Sequence, residues 1–401
     1  MSDVDADVLA RATWSALVEP GDPVAGTLVA TLGAAAALAW VRCALREGPD
    51  LSSVEEHHGP LVDADRRRVS RALTRWAVRL PDLDAAGARD RLDRLDGALL
   101  VPDDPRWPAG LDDLGSEAPF CLWVRGEPDV GAALESSVAV VGSRAATSYG
   151  ERVAFDLADA LAGGGLCVVS GGAYGIDAAA HRGAVARAGR TIVVLAGGVD
   201  RAYPAGNARL LETVVGAGGA LVSEVPPGSL PTKSRFLQRN RLIAAAGRAT
   251  VVVEAAWRSG AMSTAHHAAR LLRPVGAVPG PVTSVASAGC HRLLREGVAV
   301  CVTDAVEVRE LAGLVGAELA AGVAADREAD ARAARPRDGL DSTSRRVLDA
   351  LPRRGPADLP RVASLAGVSL GEARGALGLL ELGGWARRRD EGWVAVPPAR
   401  S

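Results

Sequence analysis

Two successive strand-to-helix segments between residues 138 and 181 constrain the fold of this chain more than any other feature. In each, an apolar, largely β-branched run, at residues 138–141 and 166–169, ends in a loop rich in glycine and serine that leads into alanine-rich sequence. The alternation predicts parallel strands joined by right-handed helical crossovers, so both loops lie at the carboxyl edge of one sheet. Because the following helices point unpaired N–H groups at that edge, the loops are suited to binding phosphate.

The amino-acid sequences of these loops argue against a dinucleotide-binding site. Such a site needs G-x-G-x-x-G after the first strand and an acidic residue at the end of the second. Here the first loop reads GSR at residues 142–144, and the second strand ends in SGG at residues 170–172. We therefore do not expect an NAD enzyme, and no cofactor is predicted. The guanidinium of Arg144 instead offers a planar fork of donors for a polyanion.

Composition limits the class of protein and the place of any polyanion site. The chain has 401 residues and a net charge of -2, so a site for nucleic acid must be local. Five cysteines lack C-x-x-C spacing, which predicts neither a zinc site nor a disulfide framework and favours a cytoplasmic location. Among 46 Lys and Arg residues, Lys233 is the only lysine. The single lysine suggests that this position requires a compact ammonium group rather than the planar guanidinium of an arginine.

Residues 224–241 form a longer excursion after the fourth predicted strand, and a helix is predicted to begin near Gln238. Four cations surround Phe236 there: Lys233, Arg235, Arg239 and Arg241. Cations next to an aromatic ring are typical of single-stranded nucleic-acid sites, where charge follows the backbone and the ring stacks on a base. The alternative is that Phe236 packs into the core and the arginines form a solvated helix face. Residue types alone leave both interpretations open.

The chain is predicted to contain five segments. Residues 1–97 are expected to form a helical domain in which the uncharged run 24–41 is a buried helix or helix pair, and residues 98–117 a connecting segment. Residues 118–314 are the α/β domain, and residues 315–338 a linker. Residues 339–397 show three helices and a hairpin, which predicts a winged helix. The predicted strands of the α/β domain are 138–141, 166–169, 191–195, 220–223, 250–253, 275–278 and 298–302.

Seven ordered motifs resemble the DprA/Smf family of bacterial DNA-processing proteins. They are VAVVGSRAATSYG, VVSGGAYGIDAAAH, VLAGGVDRAYPAGN, LVSEVPPG, FLQRNRLIAAAG, VVVEAAWRSGAMSTAHHA and VGAVPGPVTSVASAG. The resemblance implies an α/β fold with an extended Rossmann-like, mostly parallel sheet and helices on both faces, an N-terminal helical (SAM-like) domain and a C-terminal winged helix. It also implies a homodimer that binds single-stranded DNA and loads the RecA recombinase on it, with single-strand-binding protein as a further partner and no catalytic step or membrane.

The same resemblance assigns site residues. Arg144 would clamp a phosphate, and Lys233 and Phe236 fall at the family's K-x-x-F spacing. The expected DNA-binding residues are Gly142, Ser143, Arg144, Ser170, Gly171, Gly172, Gly175, Lys233, Phe236, Arg239, Asn240 and Arg241. The expected supporting residues are Asp177, His181, Asn207, Glu254, Ser259 and Gly260. Leu237 stands where the family usually has Pro, and Ala205 lies in a turn that often carries a basic residue.

Two other functions remain open from the residues. An enzyme that cleaves nucleotides at the ribose could use the carboxylate of Asp177 or Glu254, and a transcription regulator could act through the winged helix. For Asp177 and His181, which share a helix face, capping and a hydrogen bond to each other or to a loop carbonyl are expected rather than catalysis. For Glu254 and Ser259 we expect loop support. No metal site is predicted.

Overall fold

A nine-stranded sheet organises the larger part of the computed structural model, which describes residues 3–60, 62–313, 340–352, 356–389 and 392–396. The strand order is β1-β2-β6-β5-β4-β3-β7-β8-β9. Strands β3 to β9 pair in parallel with one another, as the sequence predicts, and all seven predicted strands are confirmed to within two residues. The nine strands are β1 (Ala98–Leu100), β2 (Leu122–Gly126), β3 (Ser137–Val141), β4 (Cys167–Ser170), β5 (Thr191–Leu195), β6 (Ala220–Ser223), β7 (Ala249–Val252), β8 (Val275–Ala277) and β9 (Val300–Cys301).

Two antiparallel strands at one edge correct the predicted boundary of the α/β domain. Strand β2 pairs antiparallel with β6, and β1 pairs antiparallel with β2. The segment predicted as a connection, residues 98–117, therefore begins with a strand of the sheet and continues into a 3-10 helix, Ala109–Glu117. Strand β1 has only three residues, which is too short for an alternating pattern, so the sequence does not predict it.

Helices cover both faces of the sheet. Alternate residues of β3 point to opposite sides, so Ala139 and Val141 pack in one core and Val138 and Val140 in another. The helices of this region are α7 (Val130–Glu135), α8 (Ser148–Gly163), α9 (Ile176–Ala186), α10 (Ala208–Gly216), α11 (Lys233–Ala246), α12 (Gly260–Arg270), α13 (Ala288–Arg295) and α14 (Ala305–Leu311). Residues of α11 and α12 lie in the first core, and residues of α8 and α9 in the second.

Helix α11 begins at Lys233, five residues before the predicted start near Gln238. The Thr232 hydroxyl accepts a hydrogen bond from the backbone N–H of Arg235 at 3.2 Å, which caps the helix amino terminus. This cap places Lys233 and Phe236 one helical turn apart on the same side of the helix.

The amino-terminal residues are helical, as predicted. The helices are α1 (Asp3–Leu17), α2 (Pro23–Leu32), α3 (Ala34–Glu47), α4 (Ser52–His58), α5 (Asp63–Arg79) and α6 (Ala85–Asp93). The uncharged run 24–41 forms the predicted helix pair, which is bent by 115° at Gly33 and contributes to a core that contains Trp14, Trp76 and Phe120. In the described part of the chain, no single helix has the length and apolarity to cross a membrane, although this bent pair passes on length and composition.

Contacts divide the chain into two units, Met1–Glu318 and Leu319–Ser401. The predicted linker, residues 315–338, falls outside the described residues. In the second unit the predicted elements are confirmed as α15 (Ser342–Ala350), α16 (Leu359–Ala366), α17 (Leu370–Leu382), β10 (Ala386–Arg389) and β11 (Gly392–Ala395). They surround a separate apolar core, and β10 and β11 form an antiparallel hairpin. The winged-helix and SAM-like assignments stay predictions.

Candidate functional site

A cavity of about 600 Å³ opens at the carboxyl edge of the parallel strands. It is lined by the loops after β3 and β7 and by the first residues of α11 and α12. Strands β4 to β6 lie on one side of β3, and β7 to β9 lie on the other. The loops after β3 and β7 therefore diverge from neighbouring strands, which is where open α/β sheets bind ligands.

The loop after β3 is fixed from the side of β7. The Ser143 N–H donates to the carbonyl oxygen of Glu254 at 2.7 Å. The buried Glu254 carboxylate accepts hydrogen bonds from the N–H of Thr147 at 2.9 Å and from its hydroxyl at 2.6 Å. A Cβ on Gly142 would lie only 2.4 Å from Cγ1 of Ile176, so the loop can pass there only with glycine. Glu254 thus supports the loop that carries Arg144.

The loop after β4 packs directly on the first loop. Gly175 has a φ of +72°, and a Cβ at this position would lie 2.3 Å from the carbonyl oxygen of Ser143. Ser170 donates its hydroxyl to the carbonyl of Val140 at 2.6 Å, which joins β4 to β3. The Asn207 side chain donates to the carbonyl of Gly172 at 2.9 Å. These contacts hold the two glycine turns in one arrangement.

Three side chains that the sequence selects lie together at the mouth of the cavity. The guanidinium carbon of Arg144 lies 4.5 Å from the centre of the Phe236 ring. Lys233, one turn before Phe236 on α11, also lines the cavity, and both cations are exposed. Among the described residues, no ion pair involves either cation. Phe236 is half-buried, so the interpretation of it as a residue of the core does not hold.

The other cations of the excursion are engaged with the protein. Arg235 forms an ion pair with Glu19 at 3.0 Å. Arg239 is 5% exposed and donates to the carbonyl of Gly171 at 2.7 Å and to that of Val194. Burial lowers the pKa of Arg239 to about 10, although the carboxylate of Asp177 opposes this effect. Arg239 nevertheless contributes to the lining of the cavity.

The position of Arg241 contradicts the prediction that this residue contacts DNA. Its side chain is fully buried and does not line the cavity. Its guanidinium pairs with the Glu224 carboxylate at 2.7 and 2.8 Å and donates to the carbonyl of Glu117 at 2.7 Å. A guanidinium with these partners cannot reach a nucleic-acid strand, so Arg241 stabilises the junction between α11 and the amino-terminal part of the sheet.

Asp177 and His181 do not bond to each other. The buried Asp177 carboxylate accepts from the N–H of Ala173 at 3.3 Å, and the cap position of α9 is Gly175 rather than Asp177. Burial raises the pKa of Asp177, and the nearby Arg239 offsets part of that rise. His181 Nδ1 lies 2.8 Å from the Thr191 hydroxyl, and burial lowers the pKa of His181 to about 3. His181 is therefore a neutral residue of the interior.

The amino terminus of α12 completes the cavity. Ser259 occupies the cap position of this helix, and its buried hydroxyl has no hydrogen-bond partner in the described part of the chain. The Asn240 side chain donates to the carbonyl of Gly260 at 3.2 Å, which joins α11 to α12. No group of three or more potential metal ligands occurs among the described residues.

Tyr203 lines the cavity and Thr147 caps the helix after its first loop, although neither is among the residues that the sequence assigns to the site. The Tyr203 ring lies 5.5 Å from the Phe236 ring at an interplanar angle of 49°, and Tyr203 is half-exposed. Its signal was its position in the loop after the third predicted strand, beside Pro204. Thr147 caps α8 with its hydroxyl, and a threonine just before a helix is a typical cap.

Comparisons with known proteins agree on one family. A family model described as DNA recombination-mediator protein A matches residues 98–313. The chain is 45% identical over 349 residues to a DprA-type DNA processing protein of Mycobacterium tuberculosis, which covers 84% of this chain and 87% of that protein. It is 40% identical over 212 residues to protein Smf of Escherichia coli, which covers 53% of this chain and 56% of that protein.

A solved structure gives the same result. DNA processing protein A of Streptococcus pneumoniae matches with a TM-score of 0.53 and 31% sequence identity, over 67% of this chain and 91% of that chain. The family range 98–313 begins at β1, which agrees with the corrected start of the sheet. The resemblance to DprA/Smf proteins is confirmed, and the chain belongs to the DNA recombination-mediator protein A family of DNA-processing proteins.

Proposed function

We propose that this chain is a single-stranded DNA-binding recombination mediator and that the cavity at the carboxyl edge of the sheet is its DNA site. The observation that carries the proposal is that two exposed cations, Arg144 and Lys233, and the half-buried ring of Phe236 line one opening. A ring between two cations can stack on an unpaired base while the cations contact the flanking phosphates. A base inside a duplex offers no free face to that ring, so the site favours single strands.

The backbone supports the same ligand. The first residues of α11 and α12 line the cavity, and so does Asp177 in the first turn of α9. Helix amino termini carry partial positive charge and unpaired N–H groups, which stabilise phosphate. None of these groups distinguishes one base from another. Binding is therefore expected to depend steeply on salt and weakly on sequence.

The family suggests what the bound strand is for. As a recombination mediator, the protein would hand single-stranded DNA to the RecA recombinase, acting in the cytoplasm as a homodimer with single-strand-binding protein as a further partner. The second unit, with exposed arginines at 387–389 on its hairpin, would add a DNA or protein contact. A test is RecA filament formation on DNA coated with single-strand-binding protein, which should accelerate when the protein is added. No acceleration would contradict this role.

A nucleotide-cleaving enzyme is the alternative, and the site offers two carboxylates for it. Glu254 is engaged with Thr147, and Asp177 is engaged with the Ala173 N–H and lies near Arg239. Both carboxylates support loops, which favours a binding function without a catalytic step or cofactor. Incubation with nucleoside monophosphates should release no free base. Turnover that is lost in Asp177→Asn would favour the enzyme.

The direct test of DNA binding removes both exposed cations. In the Arg144→Ala, Lys233→Ala double variant, affinity for a labelled oligothymidine should fall below detection at moderate salt, because two phosphate contacts are lost. Arg248→Ala is the matched control, since Arg248 is also exposed but precedes β7 at the opposite edge of the sheet. Equal affinity of the double variant and the control would refute the proposed site.

A further inference from the structure

Trp257 is an exposed aromatic residue in the loop that follows β7. Its side chain is 48% exposed, although tryptophan is usually one of the more buried residues. The guanidinium carbon of Arg292 on α13 lies 5.0 Å from the centre of its ring. Arg292 is itself fixed by an ion pair with Glu296 at 2.8 Å. The indole is therefore held in position by a cation and leaves about half of its surface open.

The position of Trp257 relates it to the cavity described above. Trp257 is two residues before Ser259 and three before Gly260, both of which line the cavity. Since a chain spans at most about 3.6 Å per residue, the Cα atoms of Trp257 and Ser259 lie within about 7 Å of each other. The loop leaves the carboxyl end of β7, so Trp257 lies at the same edge of the sheet as the cavity.

We infer that Trp257 is a second stacking position for single-stranded DNA, which receives a base of the strand after it leaves the cavity across the amino terminus of α12. The inference rests on the proposed function and adds a binding residue to it. Arg258, next in the chain, is exposed and pairs with no carboxylate in the described part of the protein, so it can contact the adjoining phosphate. An open aromatic face beside a free cation is what a sequence-independent single-strand site requires.

The neighbouring loop favours an extended ligand over a small one. Val282 is 89% exposed and Val285 is 77% exposed in the loop after β8, at the same edge of the sheet. This loop adjoins the loop of Trp257, because the Ala255 N–H donates to the carbonyl oxygen of Ala286 at 2.8 Å. A free nucleotide would find few partners there, whereas a strand anchored at Arg144 and Lys233 would be delivered to it at high local concentration.

Oligonucleotides of different length distinguish binding at Trp257 from binding in the cavity. An oligothymidine of about three nucleotides fills only the cavity, whereas one of about 20 nucleotides reaches both positions. Stacking contributes about 1–3 kcal/mol per base, and each 1.4 kcal/mol is tenfold in Kd. In the full-length protein, Trp257→Ala should therefore raise the Kd of the long oligonucleotide by about 5- to 140-fold and leave that of the short one unchanged.

Two further substitutions identify stacking as the cause. Trp257→Phe keeps an aromatic face and should bind the long oligonucleotide nearly as tightly as the original protein. Trp257→Leu keeps apolar area without an aromatic face and should resemble Trp257→Ala. Circular dichroism and a urea titration of each variant check that the fold is intact. In Arg258→Ala, the slope of log K against log salt should become shallower by the equivalent of about one phosphate contact, and only for the long oligonucleotide.

Three outcomes would overturn the inference. They are no loss for the long oligonucleotide in Trp257→Ala, an equal loss for both lengths, and full affinity of Trp257→Leu. The last result would assign the surface to an apolar protein partner. Failure of the proposed function gives a different result, because then Phe236→Ala and the Arg144, Lys233 double variant would leave both lengths unaffected.

Discussion

The Phe236 ring carries the most specific prediction for DNA binding. It lies at the cavity mouth with Arg144 4.5 Å from its centre and Tyr203 at 5.5 Å. Because the ring is only half-buried, Phe236→Ala removes little core packing, and the fold should survive. The substitution removes the stacking surface and also the ring that holds the Arg144 guanidinium in place.

The size of the effect follows from these two losses. Stacking on one base contributes about 1–3 kcal/mol, and a cation–π contact at an exposed site contributes about 0.5–1 kcal/mol. Together they amount to about 1.5–4 kcal/mol, which corresponds to a rise in Kd of about 10- to 700-fold. Phe236→Tyr keeps both contacts and should change the Kd by less than about threefold.

Fluorescence anisotropy with a labelled oligothymidine measures these Kd values at fixed salt. The dependence on salt adds a second readout. Phe236→Ala should lower affinity at every salt concentration with little change in the slope of log K against log salt, because it removes no charge. Arg144→Ala should make this slope shallower, because it removes a phosphate contact. An unchanged Kd for Phe236→Ala in a folded protein would refute the account of the site.

Three further predictions concern stability. Arg241→Ala leaves the buried Glu224 carboxylate unpaired and should lower the free energy of unfolding by about 3–5 kcal/mol in urea titrations; a loss below 1 kcal/mol would contradict it. Gly175→Ala should cost at least about 1 kcal/mol, because φ is +72° and the new Cβ would meet the Ser143 carbonyl; a neutral effect would show that the loop relaxes. The pKa of His181 is lowered to about 3, so its contribution to stability is complete above its unfolded pKa of about 6.5 and is lost as the pH falls towards 3. Between about pH 7 and pH 5 the protein should lose about 2 kcal/mol more than His181→Asn, and equal losses would contradict this.

Much of the sheet could be predicted from the sequence because its signals are local. Strands β3, β4 and β5 are short, largely β-branched runs that each lead into a glycine turn, and β3 to β8 are buried throughout, as continuous apolar runs are in α/β sheets. The antiparallel edge was missed for the opposite reason. Strand β1 has three residues, and its partner β2 lies more than 20 residues later, so neither shows the pairing on its own.

The candidate site was predicted in part. Arg144, Lys233 and Phe236 meet at one opening, whereas Arg241 points into the interior to meet Glu224. Residue type does not reveal which arginine is buried, because the carboxylate that allows burial, that of Glu224, lies outside α11 in the loop after β6. The position at which α11 begins decides which of these residues share a face of the helix. With a helix from Lys233, the spacing places Lys233, Phe236 and Asn240 on one face and Arg241 away from it.

The central claim is that the loop after β3, which carries Arg144, holds a single strand of DNA together with Lys233 and Phe236. A crystal structure of the full-length protein with an oligothymidine of about 10 nucleotides tests it most directly. The account predicts a base stacked on Phe236, one phosphate within hydrogen-bonding distance of the residue 142–144 loop and another beside Lys233. A strand bound elsewhere, with this cavity filled only by solvent, would contradict it.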